Sequence, residues 1–155
     1  MINLLNYMSK EMVVLLVAAV PAVELRGAIP FGISMGVDPI KAIIIGMIGS
    51  MIPVPFLLIF LEPIFEKLRK NSYMKKIVDK LINRTIKRTS TVHKYKAIGL
   101  LLFVAVPIPT TGVWTGAMAA SLLKIRFLPA LINIFIGNTI AALIIAYLSN
   151  VVASI

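Results

Sequence analysis

Two charged side chains, Glu24 and Arg26, fall where the surrounding sequence is apolar enough to lie deep in a bilayer. An ionisable residue at the centre of a membrane helix costs about 2.5 to 3.5 kcal/mol on translocon scales, so each needs a partner or water. Standing two apart, they would face different ways on a regular helix. On an irregular turn they could pair or meet groups from elsewhere in the chain. Glu24 is suited to take up and release a proton, and Arg26 to anchor an anionic group or to act as a switchable partner of Glu24. A permanent ion pair that holds the turn together is the competing reading.

A second cluster is polar but uncharged: Pro107-Ile108-Pro109-Thr110-Thr111-Gly112-Val113-Trp114-Thr115-Gly116. It offers three hydroxyls, an indole N–H and backbone groups released by the prolines, enough to complete a polar cavity at membrane depth. The alternative is helix packing by small residues, with the threonines bonding back to their own helix. Trp114 could equally anchor at the interface. Asn133 and Asn138 can form hydrogen bonds between helices, packing being the favoured role for Asn133. No catalytic constellation stands beside these groups. There is no Cys, His93 lies in a basic stretch without a nearby carboxylate or second His, and no carboxylate pair has metal-ligand spacing. The reading is therefore a protein that is not an enzyme, with no cofactor and no metal.

The elements that must hold these clusters are membrane elements. Of 155 residues, 59% are hydrophobic and 14% charged, far from the balance of a soluble domain. The net charge of +10 is concentrated: residues 63–96 hold 11 of the 16 Lys and Arg against Glu66 and Asp79. Flanked by bilayer-type sequence, this stretch reads as topology and lipid contact and not as a nucleic-acid site. Ile64, Leu68, Met74, Ile77, Val78, Leu81, Ile82 and Ile86 recur at mostly helical steps between the cations. That pattern predicts an amphipathic helix whose Lys75, Lys76, Lys80, Arg84, Lys87 and Arg88 contact anionic lipid. A solvated linker is the bland alternative. The first ten residues lack the basic region and cleavage site of a signal peptide, so the chain reads as unprocessed.

The apolar run Met12 to Val23 is too short to cross a hydrocarbon core that needs about 20 helical residues. It meets Pro21 and then Glu24-Leu25-Arg26-Gly27-Ala28-Ile29-Pro30-Phe31-Gly32, followed by a second apolar stretch ending near Gly36 and Asp38. Two half-helices around a Pro/Gly-broken charged turn describe a re-entrant hairpin. A single span with a buried Glu and Arg remains the competitor. Ala42 to Leu61 predicts a spanning helix kinked at Pro53 and Pro55. Ala97 to Leu123 is broken by the second cluster, and Phe127 to Leu148 is again long enough to span.

The halves overlay. Ala19-Val20-Pro21 matches Ala105-Val106-Pro107, Arg26-Gly27 falls against Thr111-Gly112, Lys41 against Arg126, and Ile48-Gly49-Ser50 against Ile136-Gly137-Asn138. Gly/Pro-interrupted segments at corresponding positions point to binding sites built from inverted repeats. Lys and Arg favour the cytoplasmic side, which puts 63–96, Lys124 and Arg126 inside and, with both hairpins re-entrant, inverts the second repeat.

At Glu24-Leu25-Arg26-Gly27-Ala28-Ile29-Pro30 and at the second cluster the chain resembles the small multidrug export protein family over nearly its whole length. That family looks similar to the DedA/VTT membrane proteins. The resemblance implies two inverted units of re-entrant hairpin plus helix, and associates them with lipid scrambling, undecaprenyl phosphate recycling and proton-dependent export. It carries over Glu24, Arg26, Gly27 and Pro30 in the first motif and Pro107, Pro109, Thr111, Gly112, Trp114 and Gly116 in the second. The second hairpin departs from DedA proteins in lacking their charged residues.

The expectation is an all-α integral membrane protein of the cell membrane, one membrane domain over 1–155. It comprises repeat 1 at about 11–62, a basic cytoplasmic helix at 63–96 and repeat 2 at about 97–150. Its function would be secondary, proton-coupled export of an amphipathic or lipid-like substrate, as a homodimer, at a site between the hairpins. That site comprises Glu24, Arg26, Gly27, Pro30, Pro107, Pro109, Thr110, Thr111, Gly112, Trp114, Thr115, Gly116 and Asn138. A lipid-phosphate flippase or scramblase, and a non-transporting scaffold that binds anionic lipids, are the alternatives.

Overall fold

The computed structural model describes residues 9–70, 75–76, 79–80, 83, 90–107 and 111–153. Every regular element among them is a helix: α1 Lys10–Ala19, α2 Glu24–Ser34, α3 Pro39–Met51, α4 Pro53–Arg69, α5 Ser90–Ala105, α6 Val113–Leu122 and α7 Phe127–Ala153. Lys75, Lys76, Asp79, Lys80 and Asn83 are also helical. Pro109, Thr110, Arg84, Lys87 and Arg88 lie outside the described residues, as does most of the apolar stripe expected over 64–86.

Contacts divide the chain into two compact units, residues 1–52 with 138–155, and residues 53–137. In the first, α1 and α2 form a hairpin that packs on α3. Its turn is Val20–Val23. Its open end is tied where Lys10 Nζ donates to the Met35 carbonyl at 2.7 Å, a cation on the C-terminal end of α2. The broken region is narrower than the sequence suggests, because Glu24 through Gly32 is helical and Pro30 sits inside α2. Gly27 and Pro30 are thus helix residues, not turn residues. Val14, Ala18, Ala28, Val37 and Ala42 form one core, and Leu25, Ile29, Ala141, Ala142 and Ile145 a second that joins α2 to α7.

In the other unit α6 packs on both α4 and α5. Between α5 and α6, Thr111 Oγ1 donates to the Val106 carbonyl at 2.8 Å, which draws the two ends of the connecting turn together. Trp114, Thr115 and Gly116 belong to α6. Phe65 is buried with Leu61, Met118 and Leu122 around it.

Both hairpins end alike. At the end of α2, Gly36 N donates to Ile33 O and Val37 N to Gly32 O, with Gly36 at φ 82°. At the end of α6, Lys124 N donates to Ser121 O and Ile125 N to Ala120 O, with Lys124 at φ 51°. Each is a Schellman closure. The next helices begin with matching bonds, Ala42 N to Asp38 O and Ala130 N to Arg126 O. Further on, a Cβ on Gly49 would strike the Leu15 carbonyl oxygen and Ala18, while one on Gly137 would lie 2.6 Å from the Leu101 carbonyl oxygen. The second helices of the hairpins and those that follow therefore correspond at a constant spacing. Arg126 stands in the place of Asp38, not of Lys41 as the sequence overlay had it.

The helix over Pro39–Phe65 is 27 residues long with only 22% of its apolar window buried. At 1.5 Å per residue it is about 40 Å, more than the roughly 30 Å of a hydrocarbon core. Within it Ile52 separates α3 from α4, with helical dihedrals and its N–H on the Ile48 carbonyl, and Pro53 begins α4. Phe127–Ser149 is the second helix of spanning length, with 39% of its window buried. Ile40, Ile44, Ile48, Phe56, Ile59, Phe60, Leu128, Ile132, Phe135 and Leu143 stand exposed on these helices. A core helix of a soluble protein would bury that face; lipid accepts it.

Candidate functional site

Glu24 combines two costs. It is 8% exposed, and its backbone lies at φ 51°, a conformation that charges a non-glycine residue about 1 to 2 kcal/mol. The α1–α2 turn creates this strain, because its short path must reverse the chain and start a helix at once. Glu24 N is held by the Val20 carbonyl at 2.9 Å. Glu24 acts on Arg26 through a favourable Coulomb interaction, and Arg26 is half-buried.

Arg26, Pro30, Ile33 and Ser34 share one face of α2 and, with Ile145, Leu148 and Ser149 of α7, line a cavity of about 430 Å3. This is the size of a small-molecule site, mostly apolar with few polar groups. Arg26 is the charged residue on its wall; Glu24, the first residue of α2, does not line it. Ser34 Oγ donates to the Phe31 carbonyl at 2.7 Å, which leaves it as an acceptor toward the cavity. Of the residues expected from sequence, Arg26 and Pro30 reach this cavity. Ile33 and Ser34 were missed, although the helical step from Arg26 and Pro30 marks their face once α2 is known to be continuous. Nothing in the sequence of α7 singled out Ile145, Leu148 or Ser149.

The second cluster has structural work. Thr115 Oγ1 bonds back to the Gly112 carbonyl at 3.3 Å, and a Cβ on Gly116 would lie 2.6 Å from Val104 Cγ2, so Gly116 is where α6 meets α5 closely. Gly112 is buried, Trp114 half-buried, and Pro107 lies in the turn. Asn133 Nδ2 bonds within its own helix to the Pro129 carbonyl at 2.8 Å. Asn138 does bridge helices: its Nδ2 donates to Ser50 Oγ at 2.9 Å, both residues being buried, while Ser50 Oγ donates to the Met47 carbonyl. Asn138→Leu should therefore cost about 1 kcal/mol, since Ser50 keeps one partner and membrane hydrogen bonds average less than that. Thermal unfolding of the full chain in detergent checks it, and a loss above about 3 kcal/mol would require a further role for the amide.

Described residues contain no group of His, Asp or Glu able to hold a metal ion. The two long apolar helices and the large lipid-type surface define an all-helical membrane protein. Within that class, the chain belongs to the small multi-drug export protein family, which matches residues 24–144. No curated protein and no solved structure matches it.

Proposed function

We propose that the chain is a multi-pass protein of the cell membrane that exports an amphipathic solute, with Arg26 holding the solute's anionic group in the α2–α7 cavity. The observation that carries this reading is the cavity itself: apolar walls, one guanidinium on them, and a buried, strained carboxylate coupled to that guanidinium. Strained and buried charge at membrane depth is retained where it works. Protonation of Glu24 would release Arg26 for the substrate, which is the basis for proton coupling. Support for a re-entrant first hairpin comes from its length: α1 and α2 have 10 and 11 residues, about half a bilayer each. The shared Schellman closures and the matching glycines support a repeat. The charge of 63–96 supports a cytoplasmic place for that segment.

Uptake into proteoliposomes of a fluorescent amphipathic anion tests the reading. Arg26→Ala should lower transport at least tenfold, and Glu24→Gln should remove its dependence on a proton gradient. Wild-type transport in both variants would sink it. Loss of cation transport in Glu24→Gln alone would reassign the substrate's sign. A lipid phosphate fits the same apolar cavity, and scrambling of a short-chain lipid phosphate in the same vesicles distinguishes a flippase from a solute exporter. Neutralising the exposed Lys75, Lys76 and Lys80 would abolish function, with Arg26→Ala silent, if the chain were a lipid-binding scaffold.

A further inference from the structure

The α6–α7 corner carries a second pocket of about 340 Å3, lined by Leu58, Glu62, Ser121, Lys124, Arg126 and Phe127 among others. Its wall contains a buried hydroxyl, that of Ser121, 9% exposed and without a hydrogen-bond partner. A buried hydroxyl left unpaired calls for a ligand. Lys124 holds the left-handed position that Gly36 occupies at the end of α2, so a strained lysine replaces a glycine there. Its Nζ lies 3.8 Å from Glu62 Oε1, at the long limit of an ion pair.

The matching end of the first hairpin indicates the chemistry. There Asp38 caps α3, its Oδ1 accepting from Ile40 N at 3.0 Å and Lys41 N at 3.1 Å. At the same place before α7 stands Arg126, whose carbonyl accepts from Ala130 N but whose side chain only donates. Of the counterparts of Ile40 and Lys41 in α7, Leu128 N lacks that carboxylate and Pro129 has no N–H, while the Phe127 amide stands where the first hairpin has Pro39, at the positive end of a 27-residue helix. Where one corner caps its helix with a carboxylate, the other has two cations, one of them 3.8 Å from Glu62, open amides and an unpaired hydroxyl.

We propose that this corner binds a phosphate-bearing group, whose oxygens take the place of the missing carboxylate on α7 while Lys124, Arg126 and Ser121 hold it. The group is either the headgroup of an anionic phospholipid or a soluble phosphate. The site is separate from the Arg26 cavity and stands whether or not the transport reading does.

The test uses the full chain in a maltoside detergent, with phosphatidic acid or inorganic phosphate as probes and native mass spectrometry and thermal unfolding as readouts. Wild type should retain one equivalent of a probe and unfold several degrees higher with it; retention of phosphatidic acid alone identifies the lipid headgroup, and a response to inorganic phosphate identifies a soluble ligand. Arg126→Asp, which installs the cap of the first hairpin, should raise the melting temperature without ligand and weaken binding at least tenfold. Lys124→Gly, which relieves the backbone and removes the cation, should weaken binding several-fold in a folded protein. Lys41→Gln, an exposed cation outside this pocket, should leave it unchanged. Binding of neither probe, or equal binding by wild type, Arg126→Asp and Lys124→Gly, overturns the proposal. So does loss of binding in Lys75→Gln with Lys76→Gln and in no pocket variant, which would place the lipid on the basic segment instead.

Discussion

Gly49→Ala and Gly137→Ala are each expected to destabilise the protein by about 2 to 3 kcal/mol, the upper range for overpacking a tight contact. At both positions the added methyl would press on a backbone carbonyl oxygen, that of Leu15 in one hairpin and of Leu101 in the other. A backbone atom inside a helix cannot turn aside as a side chain can, so the helices must separate. The methyl added at Gly49 would also lie 3.0 Å from the Ala18 Cβ, and that at Gly137 2.9 Å from the Val104 Cβ, so sliding does not help. Small residues that let membrane helices approach closely contribute their packing this way. Gly46 is the internal control. There the added methyl would lie 3.1 Å from Ile29 Cγ1, a side-chain carbon that need give by only a few tenths of an ångström, and Gly46→Ala should cost under about 1.5 kcal/mol. Thermal unfolding of the variants gives the order. Equal stability of Gly46→Ala and Gly49→Ala would contradict the close approach.

Glu24→Gly is expected to abolish transport while leaving the melting temperature within a few degrees of wild type or above it. Glycine adopts φ 51° without the cost of about 1 kcal/mol or more that glutamate bears there, and this offsets the lost interaction with Arg26. A carboxylate with only a structural role would do the reverse: the variant would unfold early and what folded would still transport. Paired measurements of unfolding in detergent and uptake in vesicles separate the two. A stable, fully active Glu24→Gly would remove Glu24 from the mechanism.

Much of this molecule is written in run lengths and interruptions. Met12 to Val23 is too short to span and meets Pro21, which favours a hairpin over a single span, and α4 begins at Pro53, one of the two prolines the sequence marks. The limits of the turns are not so readable. Prolines and glycines from Pro21 to Gly32 look like one broken segment, yet α2 runs through Pro30, because its Leu25, Ala28 and Ile29 are buried in two cores and that packing outweighs one lost backbone bond. For the site, the charges of Glu24 and Arg26 stood out, whereas the cavity wall from α7 is made of residues whose types are common to any membrane helix. Lys124 and Ser121 were invisible for another reason: their meaning depends on the φ of Lys124 and on the missing partner of Ser121, neither of which a sequence displays.

The bond between Asn138 and Ser50 joins residues at matching places in the two halves, each next to its close-approach glycine. If the halves descend from one duplicated segment, this position once faced a copy of itself, with identical chemistry on both sides. An amide donor opposite a hydroxyl acceptor is a broken symmetry: each half now carries the complement of the other. The halves are therefore no longer interchangeable, and a chain assembled from two copies of either one would meet its own side chain, not its complement, at the centre of that contact.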